Sequence, residues 1–188
     1  MAAPRRHLTE RQAQTVHLLT EAAATEVVEA GFGGLTVRGV AKRACVAPAT
    51  AYTYFGSKEH LVAEVFWRRF DAQTPRPPDR RRSAASRATD VLGDFALVVA
   101  DETELAAACT VALLADDAEV AELRLRIGRE LRHRLTDALG DDATSDAIVA
   151  LELATTGALI QAGTGHLAYD AVPPLLASVA GLILGSGR

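Results

Sequence analysis

Aromatic residues make up only 5% of the 188 positions, which leaves little of what β-sheets draw on for cross-strand packing. Cysteine is nearly absent as well. Cys45 and Cys109 are far apart and neither stands in a CxxC setting, which excludes a disulfide framework or a zinc site, so both read as reduced core thiols. The longest apolar run, residues 175–184, is about half of the roughly 20 residues a bilayer crossing needs. Residues 1–10 are polar and basic, without the apolar stretch of a secretory leader. A soluble, cytoplasmic protein with no membrane partner is expected. The histidines, His7, His17, His60, His133 and His166, are isolated, and His133 with Asp137 or His166 with Asp170 reads as a surface pair rather than a metal site. A Gly-rich phosphate loop and a nucleophile elbow are both missing. No catalytic residue, metal or cofactor is therefore expected, nor is an enzyme.

What the sequence has is apolar residues at 49% and abundant alanine, a composition suited to close-packed helices. The expectation is all-α. Charge is unevenly spread: residues 1–70 carry 9 Arg and Lys against 6 Asp and Glu, whereas residues 71–188 carry 11 against 18. A basic head on an acidic body suits a DNA reader joined to a second, acidic domain.

Apolar residues recur at helical spacing through Val16, Leu19, Ala23 and Val27, and Gly31 stands where a C-cap belongs, which predicts a helix over residues 9–30. Thr36 can cap a short second helix that ends near Ala44, with Val37, Val40, Ala41 and Ala44 as its buried face. Residues 45–47 are a turn, and Pro48 opens a third helix that ends near Phe55-Gly56. Ser57 caps a fourth, whose apolar side is Leu61, Val62, Val65 and Phe66. The three prolines and the arginine run of residues 74–83 break the chain and read as a solvated linker. Five more helices are expected near residues 84–100, 102–115, 119–139, 145–167 and 171–184. In the third of these, Leu123, Ile127, Leu131 and Leu135 alternate with arginines to give an amphipathic surface helix. This makes about nine helices, with a three-helix helix-turn-helix domain over residues 1–56 and a ligand-binding and dimerisation domain over residues 57–188, joined by helix four at residues 57–73.

Two short helices on a three-residue turn, behind a longer helix in a basic segment, form a helix-turn-helix pattern. Thr36-Val37-Arg38-Gly39-Val40-Ala41 and the string from Ala44 through Pro48, Tyr52, Phe55 and Gly56 to Glu59 resemble the DNA-binding domain of the TetR family of bacterial regulators. Phe32 and Leu61 fit that resemblance. Cys45 and Ala49 stand where the family usually has glycine, and Ala51 where a larger aliphatic is usual. At Cys45 a left-handed turn would be less comfortable, by on the order of 1 kcal/mol.

A recognition helix enters the major groove by its N-terminal end, so Ala47, Pro48, Ala49 and Thr50 approach base edges, three of them with apolar contact only. Arg38 matches a position the resemblance associates with base contact; a solvated or phosphate-bound arginine is the other reading. The resemblance implies that Tyr52 reaches the backbone or a base and that Tyr54 is a second phosphate contact, against core packing for Tyr54. Lys58, at the start of helix four, can meet a phosphate, and Thr36 can do the same at helix two. Arg5 and Arg6 form either a basic arm or plain terminal charge.

The resemblance further implies a repressor released from double-stranded operator DNA by a small molecule. Phe95, Val98, Val99, Cys109, Leu113, Leu114, Leu153 and Ile160 are candidate lining for a hydrophobic effector, though a plain core explains the same residues. The last two helices carry more apolar surface than one core face hides, which points to a homodimer and hence a palindromic operator. Gly157, Gly163 and Gly165 would let backbones approach there, or mark a kink. The rival from another class is a small-molecule-binding or interaction module that keeps the fold but no longer reads DNA, hinted at by the apolar tip Ala47-Pro48-Ala49.

Overall fold

Thr9 opens the first helix with a capping box: its hydroxyl accepts from the Gln12 backbone N–H at 3.3 Å and its own N–H donates to the Gln12 side chain at 2.8 Å. The computed structural model describes residues 9–185, so Arg5 and Arg6 lie outside the described residues. Helix α1, Glu10–Gly34, breaks at Gly31, whose φ of 69° is the left-handed conformation its position called for. Val16, Leu19, Ala23 and Val27 are its buried stripe. There follow α2 (Val37–Arg43), α3 (Pro48–Tyr54), α4 (Lys58–Ala72), α5 (Ala84–Ala96), α6 (Thr103–Leu113), α7 (Ala118–Leu139), α8 (Ser145–Gly163) and α9 (Val172–Gly185). Among the described residues there are nine α-helices and no strand, as expected.

Two helices stop short of their expected ends. Helix α5 ends at Ala96 rather than near residue 100, with the Leu97 N–H donating back to the Gly93 carbonyl at 3.0 Å, and Val98 and Val99 are buried in the loop that follows. Helix α8 ends at Gly163 rather than near residue 167, because Gly165 turns left-handed at φ 78°. Gly163 does permit a close approach, but within the chain: a methyl there would run into Thr110 of α6.

Helix α6 is the element that joins the two ends of the molecule, lying against α1 and α4 on one side and against α8 on the other, while α5 packs on α9 and α7. A continuous core results, in which Leu19, Leu61, Phe70, Leu105, Leu135 and Leu151 are almost wholly buried; each such side chain stabilises by about 1.5–3 kcal/mol. The arginine stretch of α7 is not all surface. Arg134 is buried, donating to the Phe70 carbonyl at 2.9 Å with its guanidinium 4.0 Å over the Phe70 ring. Arg87 is buried at the C-terminal end of α7, where it donates to the carbonyls of Ala138 and Leu139 at 2.6 and 3.0 Å and pairs with Asp142 at 2.9 Å. In the linker, Arg80 also donates to the last carbonyls of α7 and Arg82 pairs with Asp90. These charges complement the negative helix end. No helix among the described residues is long and apolar enough to cross a membrane.

Candidate nucleic-acid interface and interior cavity

Helix α2 owes its place to two contacts. The Thr36 hydroxyl accepts from the Gly39 N–H at 3.0 Å, and Gly39 sits so near α1 that a Cβ there would lie 2.5 Å from a Glu26 carboxylate oxygen. Arg43 then pairs back to Glu26 at 3.6 Å and to Glu29, which leaves Arg38 exposed with no partner among the described residues. Lys42 lies four residues on and so shares its face; it is exposed too, a second cation that the i, i+4 spacing could have revealed.

Pro48 stands at the first turn of α3, and Ala51 beneath it is fully buried. Ala47, Pro48, Ala49 and Thr50 are all exposed at the N-terminal end. The two tyrosines divide: Tyr52 is 53% exposed, whereas Tyr54 is half-buried and packs on the core. Lys58 has an internal partner, since its ammonium donates to the Phe32 carbonyl at 2.9 Å and lies 4.5 Å from the centre of the Phe32 ring. It thereby ties α4 to the end of α1, a contact between residues 26 apart that local spacing does not reveal. Cys45 is exposed rather than a core thiol, and at φ 54° it is the one non-glycine in the left-handed region among the described residues.

The reading head meets the rest of the molecule at a joint. Ser57 caps α4 and its hydroxyl donates to Asp117 at 2.6 Å, while Asp117 caps α7 by accepting from the Val120 N–H at 3.1 Å. That bond from Ser57 is the main cause holding the Asp117 carboxyl below its usual pKa. His60 packs edge-on to Phe55 beside it, and its buried Nδ1 has no hydrogen-bond partner. Burial lowers its pKa, against the pull of Glu119, Asp117 and Glu122.

Beyond the joint, α5, α6, α7 and α8 enclose a cavity of about 550 Å³, within the range of small-molecule sites. Phe95, Val99, Cys109, Leu113, Leu114 and Ile160 line it as the sequence suggested; Val98 and Leu153 do not. Val98 is buried elsewhere in the core, and Leu153 is 68% exposed on another side of α8. Leu153 sits one residue from the lining Glu152, and one residue is about 100° of helix rotation; Val98 lies in the loop after α5, where no helical period sets which way a side chain faces. Phe66, Thr110 and Tyr169 line it unforeseen. The Phe66 and Phe95 rings meet edge to face at 5.5 Å, and the Thr110 and Tyr169 hydroxyls approach to 3.4 Å. Burial pushes the Cys109 thiol up to about 12, so it behaves as an apolar wall. No group of residues that could hold a metal occurs among the described residues.

Residues 19–65 match the family model described as bacterial regulatory proteins, tetR family. The uncharacterised HTH-type transcriptional regulators of Mycobacterium tuberculosis and Mycobacterium bovis are each 47% identical over 180 residues, covering 95% of this chain and 84% of theirs. A crystallised TetR transcriptional regulator from Rhodococcus sp. RHA1 superimposes with a TM-score of 0.76 at 23% identity, over 95% of this chain and all of that one.

Proposed function

This chain belongs to the TetR family and is a DNA-binding transcriptional regulator, and from that premise we propose that it is a repressor, binding a palindromic operator as a homodimer and released by a small apolar or amphipathic effector. The reading head is α1 to α3, residues 1–56, and the regulatory body is residues 57–188, with α4 as the connection. One observation carries the reading: the N-terminal end of α3 is exposed, and so is Arg38 on the adjoining α2, which has no partner among the described residues. Ala47, Pro48, Ala49 and Thr50 offer methyl and hydroxyl contact to base edges, and Arg38 supplies the two-pronged donor for guanine. Thr36, Tyr52, Tyr54 and Lys58 are the phosphate contacts of this reading; Tyr52 is exposed for it, whereas Tyr54 also packs on the core and Lys58 would leave the Phe32 carbonyl to reach DNA. The homodimer is supported by Val149 and Leu153 on α8 and Leu175 on α9, large apolar side chains that are at least 40% exposed. The effector is supported by the apolar cavity. It acts by binding the DNA-free form more tightly, by about 1.4 kcal/mol for each tenfold loss of operator affinity.

The deciding experiment is binding to the DNA upstream of the protein's own gene, followed across salt concentrations. Tight binding whose logarithm falls linearly with that of salt is expected. Binding no stronger than to unrelated DNA would favour a module that has kept the fold without reading an operator.

A further inference from the structure

Gly128 lies in the middle of the 22-residue helix α7, where glycine is a poorer helix former than every residue but proline. Its φ is not in the left-handed region, and a Cβ built on it meets nothing within 4 Å. Neither backbone conformation nor close packing therefore calls for it. What distinguishes the position is that it faces the cavity, one turn from both Arg124 and Arg132 and beside Arg129. A missing side chain at this point leaves a notch in an arginine rim.

The charge of that rim is inverted relative to its surroundings. Residues 71–188 carry 11 Arg and Lys against 18 Asp and Glu, yet the charged residues lining the cavity are Arg124, Arg129 and Arg132 against Glu152 alone. These cations are not equally committed. Arg124 donates to the carbonyls of Leu113 and Ala115 at 2.8 and 2.9 Å and so holds the end of α6. Arg132 is paired with Glu152 across the rim. Arg129 reaches only the Leu125 carbonyl on its own helix, at 3.2 Å, and has no carboxylate partner among the described residues. The rest of the lining is mostly apolar, Phe66, Phe95 and Val99 included, with Thr110, Thr156 and Tyr169 its hydroxyl-bearing members. Glu152 and Ile160 both line the cavity, and eight residues of helix are about 12 Å, so its long dimension suits a chain.

We propose that the effector is an amphiphile with a carboxylate head, seated in the Gly128 notch on Arg129 and Arg132, with its tail running inward toward Phe66 and Phe95. This rests on the effector reading above and names its chemical class. Glu152 is the internal competitor that the head displaces from Arg132, and the planar guanidinium of Arg129 donates to both carboxylate oxygens in two-pronged fashion.

The test is calorimetric titration of the full chain with laurate and with 1-dodecanol, two probes of one chain length that differ in head charge. Wild type is expected to bind laurate about tenfold more tightly. The double variant Arg129→Gln/Arg132→Gln loses that preference and keeps its dodecanol affinity. Glu152→Gln acts in the opposite direction, tightening laurate several-fold and leaving dodecanol alone. Arg129 has no carboxylate partner among the described residues to lose, and Arg132 meets Glu152 with its own side chain 54% exposed, where an ion pair contributes little to stability, so these variants fold. Gly128→Ala raises the melting temperature while weakening laurate. Equal affinity of wild type for the two probes, a preference that survives in the double variant, or laurate weakened by Glu152→Gln overturns the head-group seat alone. If neither probe binds, the apolar-effector reading fails and the seat with it.

Discussion

Cys45 sits in the helix-turn-helix at φ 54°, a conformation that costs a residue with a Cβ about 1 kcal/mol relative to glycine. Cys45→Gly is therefore expected to raise stability by about that amount in thermal or urea unfolding, whereas Cys45→Ala, which keeps the Cβ, gains nothing. Arg38 and Lys58 separate in a similar way. Arg38 has no partner among the described residues, so Arg38→Ala should leave the melting temperature unchanged while weakening operator binding and relaxing specificity at one base. Lys58 is bound to the Phe32 carbonyl and ring. Lys58→Ala should lower the melting temperature as well as weaken all DNA sequences alike and flatten the salt slope. Operator titrations at several salt concentrations, beside melting curves, distinguish the two residues; equal effects on both readouts would contradict the assignment.

At the scale of elements, the joint between α4 and α7 is where pH should act. Burial lowers the pKa of His60 in the folded chain, so the unfolded chain binds more protons as pH falls through the ordinary histidine value near 6.5. The contribution of neutral His60 is full above that value, is lost as pH drops through it, and stops changing once pH is below the folded value. Wild type should thus melt lower at about pH 5.5 than at about pH 7.5, and His60→Leu should show less of that difference. Asp117 works in a lower window: its depressed pKa stabilises the fold above the ordinary carboxylate range and ceases to do so only in more acidic solution. A pH difference in melting that is identical in wild type and His60→Leu would remove His60 as its source.

For the whole molecule the question is assembly. Leu153 is turned away from the cavity and is 68% exposed on α8, with Val149 one turn earlier and Leu175 on the neighbouring α9. A charge placed there should oppose association without touching the core. Leu153→Glu is expected to sediment as a monomer where wild type sediments as a dimer, with an unchanged helical spectrum and weaker operator affinity, since two half-sites are then no longer read together. Wild type sedimenting as a monomer at micromolar concentration would dispose of the homodimer.

The sequence by itself determined the nine helices, the caps at Thr36 and Ser57, the helix break at Gly31 and the likeness of residues 36–59 to a known DNA-binding head. Helical period, capping chemistry and glycine conformation are local properties, written in residues three or four apart. Only the tertiary structure decided what those helices enclose. It put Phe66, Thr110 and Tyr169 on the cavity wall and left Val98 and Leu153 off it; it buried Arg134 on Phe70 and turned Lys58 onto Phe32. It also put Gly128 in an arginine rim, where the sequence alone showed a glycine in an otherwise ordinary amphipathic helix. These outcomes depend on packing between residues distant in sequence, which sets the course of the loop that holds Val98 and the rotation of one helix against another; on a helix such as α8 a phase difference of one residue is enough to move a side chain from the cavity to another face.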